Sequence, residues 1–486
     1  MSSIRTNYLL NLINIISGLL FPLISFPYAS RIMQADGIGQ VNFFSSIISY
    51  ISLFTCLGIP MYAIRETARV RDDKIELSKI SIEILLIHTG LTLLGYMIVG
   101  ILCFTVAKMK ADIPLFLLLS TNILFVAVGC DWFYQGIEDF KYITIRGLVV
   151  KILSLVLLFV FVRTKNDLMY YAAYSVIGSV GGNIFNFIRL RKYIKVRFCQ
   201  FKELHPLRHL RPALRIFVLN LIISLYANLD TIMLGFFKDT TVVGYYTGAT
   251  KLTKMLMGLV SSLGTVMLPR LSNILRCGQQ EEFNRLSQKA IDFTLAFSFP
   301  LFLGLLALAP TLIHLFCGSS YEPAILTLQI ISPILLIIAL SNVMGIQILY
   351  PQGKENLVIY STVVGALLNI ILNLILIPFY AQNGAAVATV IAEVGVTVSM
   401  MFIGRLYLPV KLFTRHYANC IIASIVMFIV CLLAQVGIDS DVIRIFAIPI
   451  LGVIVYIVFL YIQKDSILVE FIPLIKRYMI KRNDYN

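Results

Sequence analysis

The sequence predicts an all-α polytopic membrane protein with about fourteen transmembrane helices. Three observations carry that reading: an apolar composition, apolar runs of bilayer length, and basic residues that alternate between the connecting loops. Of 486 residues, 59% are hydrophobic and 13% charged, with a mean hydropathy of +0.88. Ordinary soluble domains hold about 45–50% apolar and about 25% charged residues. Surface-to-volume scaling limits what a soluble body of this size can bury. Lipid must cover the rest.

A helix needs about 20 apolar residues to cross the hydrocarbon core. On that ruler the first six spans are 8–28, 40–60, 80–107, 113–135, 143–162 and 168–188. The next six are 214–237, 241–268, 290–316, 325–349, 356–380 and 385–408. Two more follow at 412–435 and 442–462. The first run, Tyr8 to Tyr28, follows a single Arg5 and lacks a small-x-small cleavage site. It is too long for a signal-peptide core and is read as a span.

The loops test the count. One alternate set is basic: Arg65, Arg69, Arg71, Lys74 and Lys79; Lys141 and Arg146; the run from Arg189 to Arg215. It continues through Arg270, Arg276, Arg285 and Lys289; Lys354; Arg405, Lys411 and Arg415; and a tail with Lys464, Lys476, Arg477, Lys481 and Arg482. The other set is poor: Arg31; Lys108 and Lys110; Arg163 and Lys165; Lys238; Arg444. This is the positive-inside pattern, and it predicts both termini in the cytoplasm. It also accounts for the formal net charge of +15 without nucleic acid as a partner.

No loop is long enough for a soluble domain. The longest, about Arg189 to Pro212, carries His205 and His209, but Pro206 breaks the helical face a metal pair would need. Its plain reading is a topology anchor, with anionic lipid headgroups as an alternative. The eight cysteines form no CxxC pair and read as small buried side chains. No metal site and no cofactor are expected. No Walker A, GxSxG or HExxH pattern occurs, so no catalytic residue is assigned and the chain is not expected to be an enzyme.

An internal repeat organises the spans. Ser25-Phe-Pro-Tyr-Ala-Ser-Arg-Ile-Met precedes Gly37-Ile-Gly-Gln-Val-Asn-Phe-Phe; Tyr226-Ala-Asn-Leu-Asp-Thr-Ile-Met-Leu-Gly precedes Val243-Gly-Tyr-Tyr-Thr-Gly-Ala. Each block ends one span, turns at a glycine and starts the next. The second spans then close on Gly58-Ile-Pro-Met-Tyr-Ala-Ile-Arg and Gly264-Thr-Val-Met-Leu-Pro-Arg-Leu. Six spans separate the blocks, so both run in the same direction through the membrane. The expectation is two pseudo-symmetric six-helix lobes around an axis along the membrane normal. Residues 1–212 form the first lobe and end in a basic cytoplasmic linker. Residues 213–410 form the second, and residues 411–486 hold two further spans and a basic cytoplasmic tail.

A charge at mid-bilayer costs about 2.5–3.5 kcal/mol on insertion scales, so each one needs a reason. Lys251 and Lys254 lie well inside the eighth span, on one helix face by their i, i+3 spacing. Two cations so placed repel unless an anion or carboxylates lie opposite. They are candidates for an anion site in a wet cavity; structural carboxylate partners are the alternative. Asp230, in span seven, could pair with Lys251 or carry a proton or cation. Glu393, in span twelve, is deep with no partner nearby in sequence, and His88, in span three, is a proton-relay candidate. Asp131 reads as structural, capping a helix or pairing with Arg146 or Lys151. Arg31, at the outer end of span one, is either an outer cationic gate or an interfacial arginine. Small polar residues along the spans, Asn42, Asn220, Asn342, Asn369 and Asn373 among them, suit a hydrated groove or helix–helix bonding equally.

These phrases resemble the polysaccharide-transporter branch of the multidrug/oligosaccharidyl-lipid/polysaccharide (MOP) flippase superfamily, the Wzx-type repeat-unit flippases. The resemblance rests on Phe26-Pro-Tyr-Ala-Ser-Arg-Ile-Met with Gly37-Ile-Gly, and on Asp131-Trp-Phe-Tyr-Gln-Gly-Ile-Glu. It continues through Asp230-Thr-Ile-Met-Leu-Gly with Gly244-Tyr-Tyr and Ala249-Thr-Lys-Leu, and through Asn373-Leu-Ile-Leu-Ile-Pro with Gly384-Ala-Ala-Val-Ala-Thr and Glu393. It implies a MATE-like fold of two six-helix lobes plus two C-terminal helices around a cationic cavity. It implies a flippase that carries an undecaprenyl-diphosphate-linked oligosaccharide to the outer leaflet of the cytoplasmic membrane, for O-antigen, capsule or exopolysaccharide. Carried over, Lys251 and Lys254 would contact the anionic lipid head with Arg31 at the outer mouth, and Asp230, Glu393 or His88 would serve ion coupling. Partners would be membrane lipids and the polymerase and chain-length regulator of the same pathway. Alternatives are a cation-coupled drug antiporter or a peptidoglycan lipid II flippase of the same superfamily. The antiporters have twelve spans and mostly cationic substrates, and the Asp131-Trp phrase favours the polysaccharide branch over the lipid II one. A membrane polymerase or ligase would need a sizeable outer loop with Arg or His, which the sequence lacks.

Overall fold

The structure, a computed structural model, describes residues 4–194, 204–409, 411 and 414–465. Part of the basic linker, with Cys199, and the basic tail beyond Asp465 lie outside the described residues. Among those described there is no strand. The chain divides into two compact units, Met1–Thr247 and Gly248–Asn486.

The first unit holds α1 (Ile4–Cys56), α2 (Ile59–Arg69), α3 (Lys74–Thr105), α4 (Ala107–Lys110), α5 (Ile113–Gly129), α6 (Asp131–Gly136), α7 (Phe140–Phe161), α8 (Leu168–Val180), α9 (Asn183–Leu190) and α10 (Leu210–Phe237). α11 (Thr240–Arg276) begins in it. The second unit holds the rest of α11, then α12 (Gln280–Phe316), α13 (Ala324–Ile331), α14 (Ile334–Asn342), α15 (Glu355–Ile403), α16 (Arg415–Val436) and α17 (Asp441–Ile462). A π-helical segment, Val343–Leu349, continues α14.

Bilayer thickness decides how the long helices are read. α1 has 53 residues, about 80 Å of helix against a hydrocarbon core of about 30 Å. It must hold two spans, and its helical geometry breaks at Gln34, with φ 54°. That break separates the expected spans 8–28 and 40–60. α15 has 49 residues and breaks at Ala381, with φ 48°, between the expected spans 356–380 and 385–408. A Cβ built on Gly384 would stand 2.5 Å from Leu376 O. Eight residues of straight helix would hold those positions about 12 Å apart, so the chain folds back there. Among the described residues, nine helices are long and apolar enough to span. That number is below fourteen partly because α1 and α15 each carry two expected spans. The expected span 168–188 is also interrupted at Gly181 and Gly182, which leaves the 13-residue α8.

The two repeated phrases meet. A Cβ on Gly39 would collide with Thr240 O, and one on Gly244 with Ala35 O. Backbone rests on backbone, which only glycine permits. Around this contact Lys108 Nζ donates to Gly235 O and, at 2.6 Å, to Lys238 O, the last carbonyls of α10. The Thr240 hydroxyl donates to Asp36, and Gln40 Nε2 donates to Asp112 Oδ2 at 3.0 Å. Phe43 fills the space over Gly235 and meets Phe236 edge-on at 5.4 Å. These contacts tie α10 and the first turns of α11 to the first unit.

In the second unit α16 and α17 pack on α12 through Ala307, Leu308, Cys420, Ala423, Met427 and Ile448, and the Tyr456 hydroxyl donates to Ala296 O at 2.7 Å. The described part of 411–486 packs within the second unit. Outward faces are apolar: Leu93, Met97, Ile101 and Phe104 on α3, and Ile450, Val453, Ile454 and Ile457 on α17, are exposed. They face lipid, which is why this surface needs no polar cover.

Gly39→Val or Gly244→Val should destabilise the first unit by at least the 1–3 kcal/mol, about, of an overpacked contact. Fluorescence-detected size exclusion should show loss of the monodisperse peak, whereas Gly90→Ala, where a Cβ meets nothing, should leave it intact.

Candidate functional site

The candidate site consists of charges that the fold holds inside the spans. On α11, Ala249, Leu252 and Thr253 are buried, Lys251 is half-buried and Lys254 exposed. At about 100° per residue the two lysines occupy the side opposite that buried stripe. Gly248 lies against Tyr321 and Cys317, so one side of α11 is seated in the second unit, and Cys317 is also within electrostatic reach of Lys251.

In the first unit the sequence-predicted charges separate. Asp131 opens α6 after Cys130, whose φ of 46° breaks the helix. Its Oδ1 receives Arg146 Nη2 at 3.0 Å and Asn186 Nδ2 at 2.7 Å. Arg146 lies against Gly182, where a Cβ would stand 3.0 Å from Nε; the glycine break between α8 and α9 makes that room. Among the described residues Arg146 Nε and Nη1 are buried without a hydrogen-bond partner. Lys151 does not join this pair. Its Nζ donates to Ser17 Oγ at 2.8 Å and lies 5.9 Å from the Phe21 ring centroid.

The ion-coupling candidates lie on different elements. Asp230 on α10 is 6% exposed, and its Oδ2 accepts the Tyr246 hydroxyl at 2.6 Å. Glu393 is buried in the second half of α15. His88 is buried in α3, and among the described residues neither ring nitrogen has a hydrogen-bond partner. A relay needs a neighbour to hand the proton to, and none of those described stands beside His88. Arg31 is exposed on α1, one turn before the Gln34 break, with Nη1 3.4 Å from Pro27 O.

Two buried networks escaped the sequence reading. Glu83 on α3 is fully buried and accepts His205 N at 2.8 Å, Arg208 Nη2 at 2.6 Å and His209 Nε2 at 2.7 Å. The carboxylate is acceptor-only, so His209 Nε2 donates to it, and Nδ1 shares a 2.7 Å hydrogen bond with the Tyr62 hydroxyl. This fixes the described end of the basic linker to the first unit and gives His209 a structural place. In the second unit His416 Nδ1 meets Asp465 Oδ1 at 2.7 Å, and the Tyr417 hydroxyl donates to Asp292 Oδ1 at 2.7 Å. These tie α16 to α12 and to the chain after α17. No group of three or more His, Cys, Asp or Glu side chains among the described residues could hold a metal ion.

Comparisons with known proteins agree with this architecture. The family model described as polysaccharide biosynthesis protein matches residues 4–275, and the MatE model matches residues 216–375. A curated relative from Escherichia coli (strain K12), named "Putative O-antigen transporter", is 25% identical over 399 residues, covering 80% of this chain and 94% of the relative. A solved structure of lipid II flippase MurJ in an inward closed conformation superposes with a TM-score of 0.75 at 17% identity, over 94% of this chain and 98% of that one. An inward-facing multidrug resistance MATE family transporter of the MOP superfamily gives 0.63 at 14% identity, over 80% and 94%. At these identities the two structures establish the fold: a helical transporter fold without strands.

Glu83→Ala should strand Arg208 and His209 beside a buried void. Breaking such a pair costs about 3–5 kcal/mol, so the melting temperature of the purified protein should fall by several degrees. An unchanged melting temperature would contradict the assigned network.

Proposed function

Because the chain belongs to the polysaccharide biosynthesis family of MOP-superfamily transporters, we propose that it flips undecaprenyl-diphosphate-linked oligosaccharide repeat units across the bacterial cytoplasmic membrane. The repeat units feed O-antigen, capsule or exopolysaccharide synthesis. Both termini lie in the cytoplasm, a reading that the alternation of loop charge supports.

One observation carries the reading: Lys251 and Lys254, one turn apart in mid-span, lie opposite the buried side of α11. Two ammonium groups in that position suit an anionic guest. A diphosphate presents about two negative charges, and each is worth about 2.3 kcal/mol per 100 mV of membrane potential. An outside-positive potential therefore favours outward movement of the head while the polyprenyl tail stays in lipid. Arg31 serves as a cationic contact at the outer mouth. Asp230 and Glu393 are the ion-coupling candidates, with His88 behind them because its ring lacks a described partner. Transport proceeds by alternating access between the two lobes, and the polymerase and chain-length regulator act on the delivered units.

The test is surface glycan in a deletion strain complemented with wild type or with Lys251→Ala/Lys254→Ala, at matched expression. Wild type should restore surface glycan, and the double variant should lose about tenfold or more, the effect of removing two charge-assisted contacts. Full export by the double variant would remove the anion site. Untransferred subunits already on the outer leaflet of the deletion strain would point to a polymerase or ligase instead.

A further inference from the structure

Lys151 is a mid-helix cation of the first unit that no carboxylate among the described residues answers. It lies near the middle of the 22-residue α7. Its described partners are one hydroxyl, Ser17 Oγ, and one ring, Phe21. An ammonium has three donors, so two remain unspent. Arg146, five residues earlier, shows the contrast: it has Asp131 at 3.0 Å.

The side of α7 that carries Lys151 is informative. Ile145, Val149, Ile152, Leu153 and Val156 form an exposed apolar stripe that meets lipid. At about 100° per residue Lys151 points roughly 145° away from the centre of that stripe. The side chain is nonetheless half-exposed. It is therefore open to something other than lipid, on the inward side of the helix, beside two residues of α1 that share one face by their i, i+4 spacing. A mid-span lysine without a counter-charge is expensive, and an anion that comes and goes meets that requirement without blocking transport.

We propose that Lys151 is a substrate-contact residue of the first unit, its ammonium binding the diphosphate of the lipid-linked substrate. The assignment rests on the flippase reading above and adds a contact to it, within the first unit. Ser17 orients the ammonium, and the Phe21 ring offers its negative face to the charge.

The experiment measures binding of undecaprenyl diphosphate and of the uncharged alcohol undecaprenol to the full-length protein in nanodiscs, by thermophoresis. Wild type should prefer the diphosphate. Lys151→Ala and Lys151→Gln should each weaken diphosphate binding about tenfold, one charge-assisted hydrogen bond's worth. Lys151→Arg and Ser17→Ala should stay within about threefold, less than one such bond. Lys151→Gln keeps a donor for Ser17 Oγ, so it separates charge from helix packing. Diphosphate binding by Lys151→Gln equal to wild type would overturn the assignment. So would Ser17→Ala weakening binding as much as Lys151→Gln, or neither Lys151→Ala nor Lys151→Gln folding, since either outcome makes Lys151 a packing residue. Inorganic pyrophosphate should not compete; equal competition would make this a free-anion site and overturn the lipid-linked ligand. Wild type binding diphosphate no better than undecaprenol would overturn the flippase reading together with the assignment.

Discussion

An ammonium group in the middle of a membrane span must find water, a carboxylate or a ligand, because hydrocarbon offers it nothing. That constraint sorts the charges of this protein. Arg146 meets Asp131, and Arg208 meets Glu83, within the first unit; those charges are matched where they stand and hold helices together. Lys151 meets a hydroxyl and a ring. Lys251 and Lys254 share a face of α11 turned away from its buried side. The first kind of charge builds the scaffold, and the second kind is the one we propose receives a guest that carries its own negative charge.

The scaffold depends in turn on places where helices stop being helices. Gln34 and Ala381 take left-handed backbone where α1 and α15 each pass from one span to the next. Cys130 does so before Asp131, and that break points the carboxylate at Arg146. None of the three is glycine, so each carries steric strain that the surrounding packing must hold. Glycine is used where backbones touch: Gly39 against Thr240, and Gly244 against Ala35.

Much of this was legible in the sequence because lipid imposes a length and a sign. Apolar runs of about 20 residues and the alternation of loop charge gave the spans, and the breaks at Gln34 and Ala381 fall between spans so drawn. The repeated phrases around Gly39 and Gly244 marked the two turns that meet. What escaped was pairing at a distance. Glu83 sits within an apolar run, and its partners His205, Arg208 and His209 follow more than a hundred residues later, across several spans. Nothing periodic connects them. The charge of Lys151 was visible and its partner was not: Asp131 on α6 pairs with Arg146, and Lys151, five residues on, stands about 140° farther round α7. The unit boundary at Thr247 also depends on tertiary contacts of α10, which no linker composition reveals.

On the proposed function, this fold uses mid-span cations to move an anionic lipid head between leaflets. Proteoliposomes containing the purified full-length chain and a fluorescent polyprenyl-diphosphate lipid measure that directly, by how much label an impermeant quencher reaches with time. Protein-dependent movement of the diphosphate lipid, with its uncharged polyprenol counterpart moving no faster than in protein-free vesicles, is the predicted result. Equal rates for the diphosphate lipid with and without protein would contradict it.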